Sequence, residues 1–194
     1  VPTPVLFVIA GPNGAGKTTL YERVIAPVTH LEFVNADRIA ASQWPGDEQA
    51  RAYDAARLAA QRRAELIEAR TSFVTETVFS HPSKIELMNE AQRAGFRLSL
   101  HVVVIPEALA VARVANRVEV GGHQVPEDKI RERYRRLWVH VRNAIALADE
   151  AWVYDNSRAA TPLRVIAQFV AGQSAGVMAW PSWTPADIAD AFPG

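Results

Sequence analysis

Apolar residues along the chain come in two alternating textures. Val5-Leu6-Phe7-Val8-Ile9-Ala10 is a continuous β-rich run, as a strand buried on both faces of a parallel sheet requires. Similar runs predict strands at 31–35, 71–75, 97–105 and 151–154. Between them, apolar residues recur at helical spacing. One helix is expected from Lys17 until Pro27, which should end it. A long helix capped by Asp47 runs to about Arg70, with Tyr53, Ala56, Ala60, Ala64 and Ile67 as its buried stripe and Arg51, Arg57, Arg62 and Arg63 on a solvated face. Another begins around Pro82 and stops at Gly95, a fourth spans 107–120, and a fifth spans 127–149 with Ile130, Tyr134, Leu137, Val141 and Ile145 inward. Val165–Val170 and Val177–Trp180 suggest a terminal hairpin, within 163–181. Strand and helix alternate, which predicts an α/β fold: a three-layer α/β/α sandwich with a mainly parallel sheet.

Composition narrows this picture slightly. The chain has 194 residues, 49% hydrophobic and 22% charged, and no internal repeat or linker, which suits a single domain over 1–194. Lys plus Arg equals Asp plus Glu, so no global charge draws the chain to nucleic acid or acidic membranes. Cysteine is absent, which excludes disulfides and thiolate chemistry and suits a cytoplasmic setting. No apolar run reaches the roughly 20 residues of a membrane helix, and no signal-peptide pattern opens the chain.

The chemistry concentrates after the first strand. Gly11-Pro12-Asn13-Gly14-Ala15-Gly16-Lys17-Thr18 has the G-x-x-x-x-G-K-T spacing of a P-loop, or Walker A motif, and Thr19 continues into a helix. Backbone N–H groups of such a turn converge on phosphate oxygens, and the following helix adds the positive end of its dipole. Lys17 supplies charge to the β- and γ-phosphates and Thr18 an oxygen for Mg²⁺. ATP or GTP with Mg²⁺ is therefore the expected ligand.

Elimination sorts the P-loop classes. No N-K-x-D guanine signature occurs, and strand four ends Val103-Val104-Ile105-Pro106-Glu107 without the aspartate of a transporter ATPase. A small-molecule kinase remains, which needs a base near the acceptor hydroxyl and arginines over the phosphates. Asp37, in Asn35-Ala36-Asp37-Arg38 at the end of strand two, has two readings, a base or a cap of the next helix. Glu76 and Thr77 fit acceptor binding, a water-mediated Mg²⁺ contact, or a plain turn. Arg113 and Arg117, one turn apart before Gly121-Gly122, and Arg131, Arg133, Arg135 and Arg136 after it, outline a lid around 113–136, with Arg131 and Arg135 also reading as solvated. His123 in that loop suits hydrogen bonding or phosphate contact; no zinc-ligand spacing occurs among His30, His81, His101 and His140.

The P-loop, Asn35-Ala36-Asp37-Arg38, Glu76-Thr77, the segment Arg117…Gly121-Gly122-His123-x-Val125-Pro126…Ile130-x-x-Arg133-Tyr134-x-Arg136 and Asp155-Asn156-Ser157, in that order, resemble the zeta toxin family of P-loop kinases, in its short chromosomal branch. The resemblance spans residues 5–157. It implies transfer of a phosphoryl group from ATP or GTP, with Mg²⁺, to a sugar hydroxyl of UDP-N-acetylglucosamine, and an antitoxin as a possible partner. It also implies that Lys17 binds phosphate, Asp37 is the base, Glu76 and Thr77 hold the acceptor, with Arg38 beside them, and Arg117 is a lid arginine. The larger toxins place a second lid arginine before a Thr-Pro pair; here His123 precedes Val125-Pro126, which leaves two alternatives, that Arg133 or Arg136 supplies that charge or that His123 does a different job. The alternatives are a kinase of another small hydroxyl compound, a nucleotide-gated binding module, and a nucleic-acid 5′-end kinase, the last disfavoured by the charge balance.

Overall fold

The computed structural model describes residues 2–119, 125–176 and 178–193, the side chains of 117–119 excepted. Seven strands form one sheet: β1 Val5–Ala10, β2 Glu32–Val34, β3 Phe73–Thr77, β4 Arg97–Val104, β5 Glu150–Asp155, β6 Arg164–Val170 and β7 Gln173–Ser174. Their order is β2-β3-β1-β4-β5-β6-β7; the first five are parallel, and β6 and β7 each run antiparallel to their predecessor. The helical segments are α1 Lys17–Leu20, α2 Ala26–Thr29, α3 Ala36–Gln43, α4 Ala52–Glu68, α5 Ser83–Arg93, α6 Glu107–Glu119, α7 Glu127–Leu147 and α8 Ala186–Ala189. This is the expected α/β architecture. The chain leaves β1 in one direction for β2 and later passes β1 in the other direction for β4, so right-handed crossovers place α1–α2 on the face opposite α5, α6 and α7. Among the described residues, no helix is long and apolar enough to cross a membrane.

The central strands justify the continuous apolar reading. In β4 every residue after Arg97 is buried, and Leu6, Val8 and Ile9 of β1 are at most 1% exposed. In α7 the five expected inward residues are all buried. The third strand runs two positions later than its apolar run suggests, so Glu76 and Thr77 are part of β3, paired with Ile9 and Ala10. They end level with the start of the P-loop.

Three other expectations need correction. Pro27 does not stop the first helix, because Tyr21–Ile25 form a π-helical turn and the Ala26 N–H bonds to the Tyr21 carbonyl. The ladder is already shifted there, and Pro27 falls in the first turn of α2, where its missing N–H costs nothing. The buried stripe of α4 is Ala55, Ala59 and Leu66, whereas Ala56, Ala60 and Ala64 are exposed and Tyr53 is 83% exposed. The helix begins at Ala52, not at Asp47. The partner of β6 in the terminal hairpin is Gln173–Ser174; Ala179 instead gives a single backbone bond to Ile166.

A histidine sits deep in the sheet. His101 lies between Phe7 and Tyr154, its two ring nitrogens 3.1 Å from Ser99 Oγ and 3.0 Å from Tyr154 Oη. Burial pushes its pKa down from 6.5 to about 4. The folded state therefore holds His101 neutral where the unfolded chain takes up a proton. Its stabilising contribution is complete above pH 6.5 and is lost as pH falls toward 4, by about 3 kcal/mol in all. Denaturant midpoints at pH 7 and pH 4.5 should show this loss, and His101→Gln should flatten it; an unchanged slope in the variant would assign the acid sensitivity to other groups.

Candidate active site

The site is built where the strand order reverses, at the carboxyl ends of β1 and β3, the position at which open α/β sheets accept ligands. β1 delivers Gly11 into the loop, and glycine is needed there because φ is +147° and a Cβ would overlap the Val103 carbonyl oxygen of β4. Gly16, at φ +93°, caps α1, and a Cβ on it would meet the Asn156 amide nitrogen. From Lys17 to Thr29 the chain is helical without interruption, through α1, the π turn and α2. The loop therefore opens onto a real helix N-terminus.

Two further residues brace the loop backbone. Asn156, just after β5, donates from Nδ2 to the Ala15 carbonyl at 2.7 Å, and its own carbonyl accepts from Arg113 Nη2 at 2.9 Å. Arg113 Nη1 donates to the Gly14 carbonyl at 3.3 Å. Arg113 is thus fixed to the loop backbone while it also lines the loop's cavity. Asn156 belongs to the Asp155-Asn156-Ser157 triplet that sequence reasoning noted without a role; a polar side chain directly after a buried strand was the available signal.

The loop encloses a cavity of about 290 Å³ lined by Asn13, Gly14, Lys17, Thr18, Glu76 and Arg113, among others. Lys17 is 7% exposed, donates to the Pro12 carbonyl at 3.1 Å and lies 3.8 Å from Glu76 Oε1. The Thr18 hydroxyl donates to Glu76 Oε2 at 2.9 Å. Asn13 Oδ1 is buried and finds no donor among the described residues.

A second cavity, of about 340 Å³, adjoins the first and shares Glu76 with it. Its lining includes Asp37, Arg63, Glu76, Thr77, Lys84 and Arg133. Asp37 comes from the first turn of α3, but it does not cap that helix: Asn35 does, accepting from the Arg38 N–H at 2.9 Å. The cap reading of Asp37 is thereby removed. Thr77 Oγ1 accepts from the Phe79 N–H at 3.1 Å, which turns the chain out of β3.

Other expected site residues lie elsewhere. Arg38 pairs with Glu22 at 2.8 Å and packs over Tyr21 and Phe33, so it stiffens the α1–β2 region and does not line the second cavity. Arg136 pairs with Glu132 at 3.5 Å on the outer face of α7 and is likewise absent from that lining. Arg131 and Arg135 both face Glu107. Arg117 lies on α6 with a side chain outside the described residues, as do Gly121, Gly122 and His123 altogether. Sequence reasoning missed Arg63 and Lys84; it assigned Arg63 to a solvated face, one helical position away from the true orientation of α4.

With this geometry fixed, comparison with known proteins is direct. Residues 6–138 match the AAA_33 family, described as an AAA domain. The chain belongs to AAA_33. The matched stretch of AAA_33 runs from β1 into α7 and so contains the P-loop, Asp37, Glu76, Thr77 and Arg133. An uncharacterized protein of Haemophilus influenzae is 31% identical over 125 residues, 64% of this chain and 88% of that protein. Among solved structures, the AvrRxo1-ORF1:-ORF2 complex with ATP superposes on 89% of this chain with TM-score 0.70 and 15% identity; the match spans 60% of that chain. The PezAT chromosomal toxin–antitoxin system of Streptococcus pneumoniae matches all of this chain and 80% of its own, with TM-score 0.67 and 11% identity. Shikimate kinase of Acinetobacter baumannii matches 81% of this chain and 87% of its own, with TM-score 0.50 and 18% identity. At these identities the likeness is one of fold: this AAA_33 member has the P-loop kinase-like fold.

Proposed function

We propose that this AAA_33 member is a Mg²⁺-dependent phosphotransferase, moving the γ-phosphoryl group of ATP or GTP to a hydroxyl of a small molecule, with a nucleotide sugar such as UDP-N-acetylglucosamine as the leading acceptor. The observation that carries this reading is the pair of adjoining cavities with Glu76 as their common wall, the P-loop on one side and Asp37 on the other. A binding module needs only the first cavity. A kinase needs both, side by side.

The roles follow from position. The loop N–H groups and Lys17 grip the β- and γ-phosphates. The acceptor hydroxyl lies beside Asp37, which takes its proton as the oxygen bonds to the γ-phosphorus and the bond to the β–γ bridging oxygen breaks. Arg133, in the acceptor cavity, neutralises charge on the transferring group, with Arg117 as a second candidate and His123 as a further phosphate contact. Thr77 borders the acceptor. The hydroxyl of Thr18 and the carboxylate of Glu76, 2.9 Å apart at the lip of the loop, are hard oxygen donors suited to Mg²⁺. Once bound, that ion offsets phosphate charge. A cytoplasmic setting supplies both the nucleotide and the metal.

The direct test is incubation with labelled ATP and Mg²⁺ and a panel of nucleotide sugars, sugar phosphates and simple alcohols. A phosphorylated acceptor is expected, and Lys17→Ala should abolish it together with nucleotide binding. Failure to phosphorylate any acceptor, with ATP shown to bind, would overturn the reading. A second reading, a nucleotide-gated module for a protein partner such as an antitoxin, draws on the likeness to the PezAT system. It predicts that Lys17→Ala abolishes partner binding and Asp37→Ala leaves it intact.

A further inference from the structure

The acceptor cavity contains more positive charge than transfer to a neutral alcohol requires. Arg63, from the middle of α4, and Lys84, from the first turn of α5, line this cavity and also a neighbouring one of about 220 Å³ between the same two helices. They stand where the two spaces meet. Burial lowers the pKa of each, and for Lys84 the Arg63 charge lowers it further. Two cations therefore face one another in a partly dehydrated place.

Neither side chain forms an ion pair or hydrogen bond with a described residue. Other arginines of the chain do: Arg62 grips Glu32 and Glu65, Arg51 lies between Asp47 and Asp54, and Arg97 pairs with Glu150. Carboxylates are present near the two cations, Asp37 and Glu76 on one cavity and Glu86 and Glu90 on the other, but none lies within ion-pairing distance of either. Glu76 is in addition already engaged with Thr18 and Lys17. A half-buried cation without a counter-charge is costly, and two that repel each other are costlier. The missing anion is one that a ligand can bring. A guanidinium fork beside an ammonium point charge matches a phosphate dianion or a diphosphate.

We propose that Arg63 and Lys84 form an anion subsite that selects an acceptor already bearing a phosphate or diphosphate, so that the enzyme adds a further phosphoryl group to a phosphorylated hydroxyl compound and discriminates against neutral ones. The substrate clause rests on the kinase reading above; the anion subsite does not. Arg133 stays with the transferring phosphoryl group, and Arg63 and Lys84 hold the acceptor by its own charge.

Binding is tested without turnover. With the P-loop filled by Mg²⁺ and a non-hydrolysable ATP analogue, titration with inorganic pyrophosphate should reveal one further site by calorimetry. Arg63→Met or Lys84→Met should weaken it by at least about tenfold, the weight of one charge-assisted contact, and Arg63→Lys should restore part of the affinity. Both Met variants should unfold at or above the wild-type temperature, since each relieves an uncompensated charge. In turnover, UDP-N-acetylglucosamine and a sugar monophosphate are compared with neutral N-acetylglucosamine. The kcat/KM preference for the phosphorylated acceptors should fall at least about tenfold in each Met variant. A wild type that binds no second pyrophosphate, or variants that keep the full preference, would overturn the subsite and leave the kinase standing. No turnover on any acceptor, with a pyrophosphate site that vanishes in the variants, would remove the kinase and keep the subsite.

Discussion

Asp37→Asn is expected to lower turnover by about 10²- to 10⁴-fold while nucleoside triphosphate affinity stays within about threefold. The amide keeps the shape of the carboxylate and loses only its ability to accept a proton. Asp37 lines the acceptor cavity and not the P-loop cavity, so the nucleotide has no reason to sense the change. Helix α3 survives as well, because Asn35 and not Asp37 caps it. The one structural loss is a negative charge in the first turn, worth about 0.3–1 kcal/mol. Steady-state rates, a fluorescence titration of nucleotide and a melting curve separate these quantities. An equal fall in rate and in nucleotide affinity would move Asp37 into the nucleotide site; an unchanged rate would deny it the role of base.

Gly11→Ala should cost about 3 kcal/mol of stability and remove nucleotide binding with it. Two penalties act together at this position. Its φ of +147° is one that side chains rarely adopt, and the added methyl would run into the Val103 carbonyl oxygen. That oxygen belongs to the backbone of β4, in the middle of the sheet, so it cannot swing aside as a side chain could. For a chain of this size the melting temperature should drop by roughly 6–12 °C. A variant that melts like the wild type and still binds ATP would show that the loop can shift off β4 without cost.

Much of this site was legible in the sequence because its logic is local. An apolar run, a glycine turn and a helix start occupy adjacent residues, so the motif shows in the sequence even though the atoms that crowd Gly11 and Gly16 belong to Val103 and Asn156. The same holds for Asp37 and for Glu76-Thr77, which follow apolar runs and so had to lie near the sheet's carboxyl edge. The zeta toxin resemblance pointed to a P-loop kinase, and the fold and the AAA_33 match agree at that level. Arg38 and Arg136 were misplaced because aromatic faces and nearby glutamates captured them, a competition in which sequence spacing takes no part.

What the sequence by itself determined is the order of strands and helices, the phosphate loop and the carboxylates at the strand ends. All of these depend on runs and turns within about twenty residues. Tertiary structure alone decided which face of α4 turns inward: alanines at 52, 55, 56, 59, 60 and 64 lie on several sides of that helix, and methyl groups are too small to choose between them. That choice brings Arg63 to Lys84, far along the chain. It was likewise packing that set Asn156 behind the loop, fixed Arg113 beside its cavity and made Glu76 the wall of two cavities. Such juxtapositions come from the closing of the sheet, where residues distant in sequence meet because their strands are neighbours.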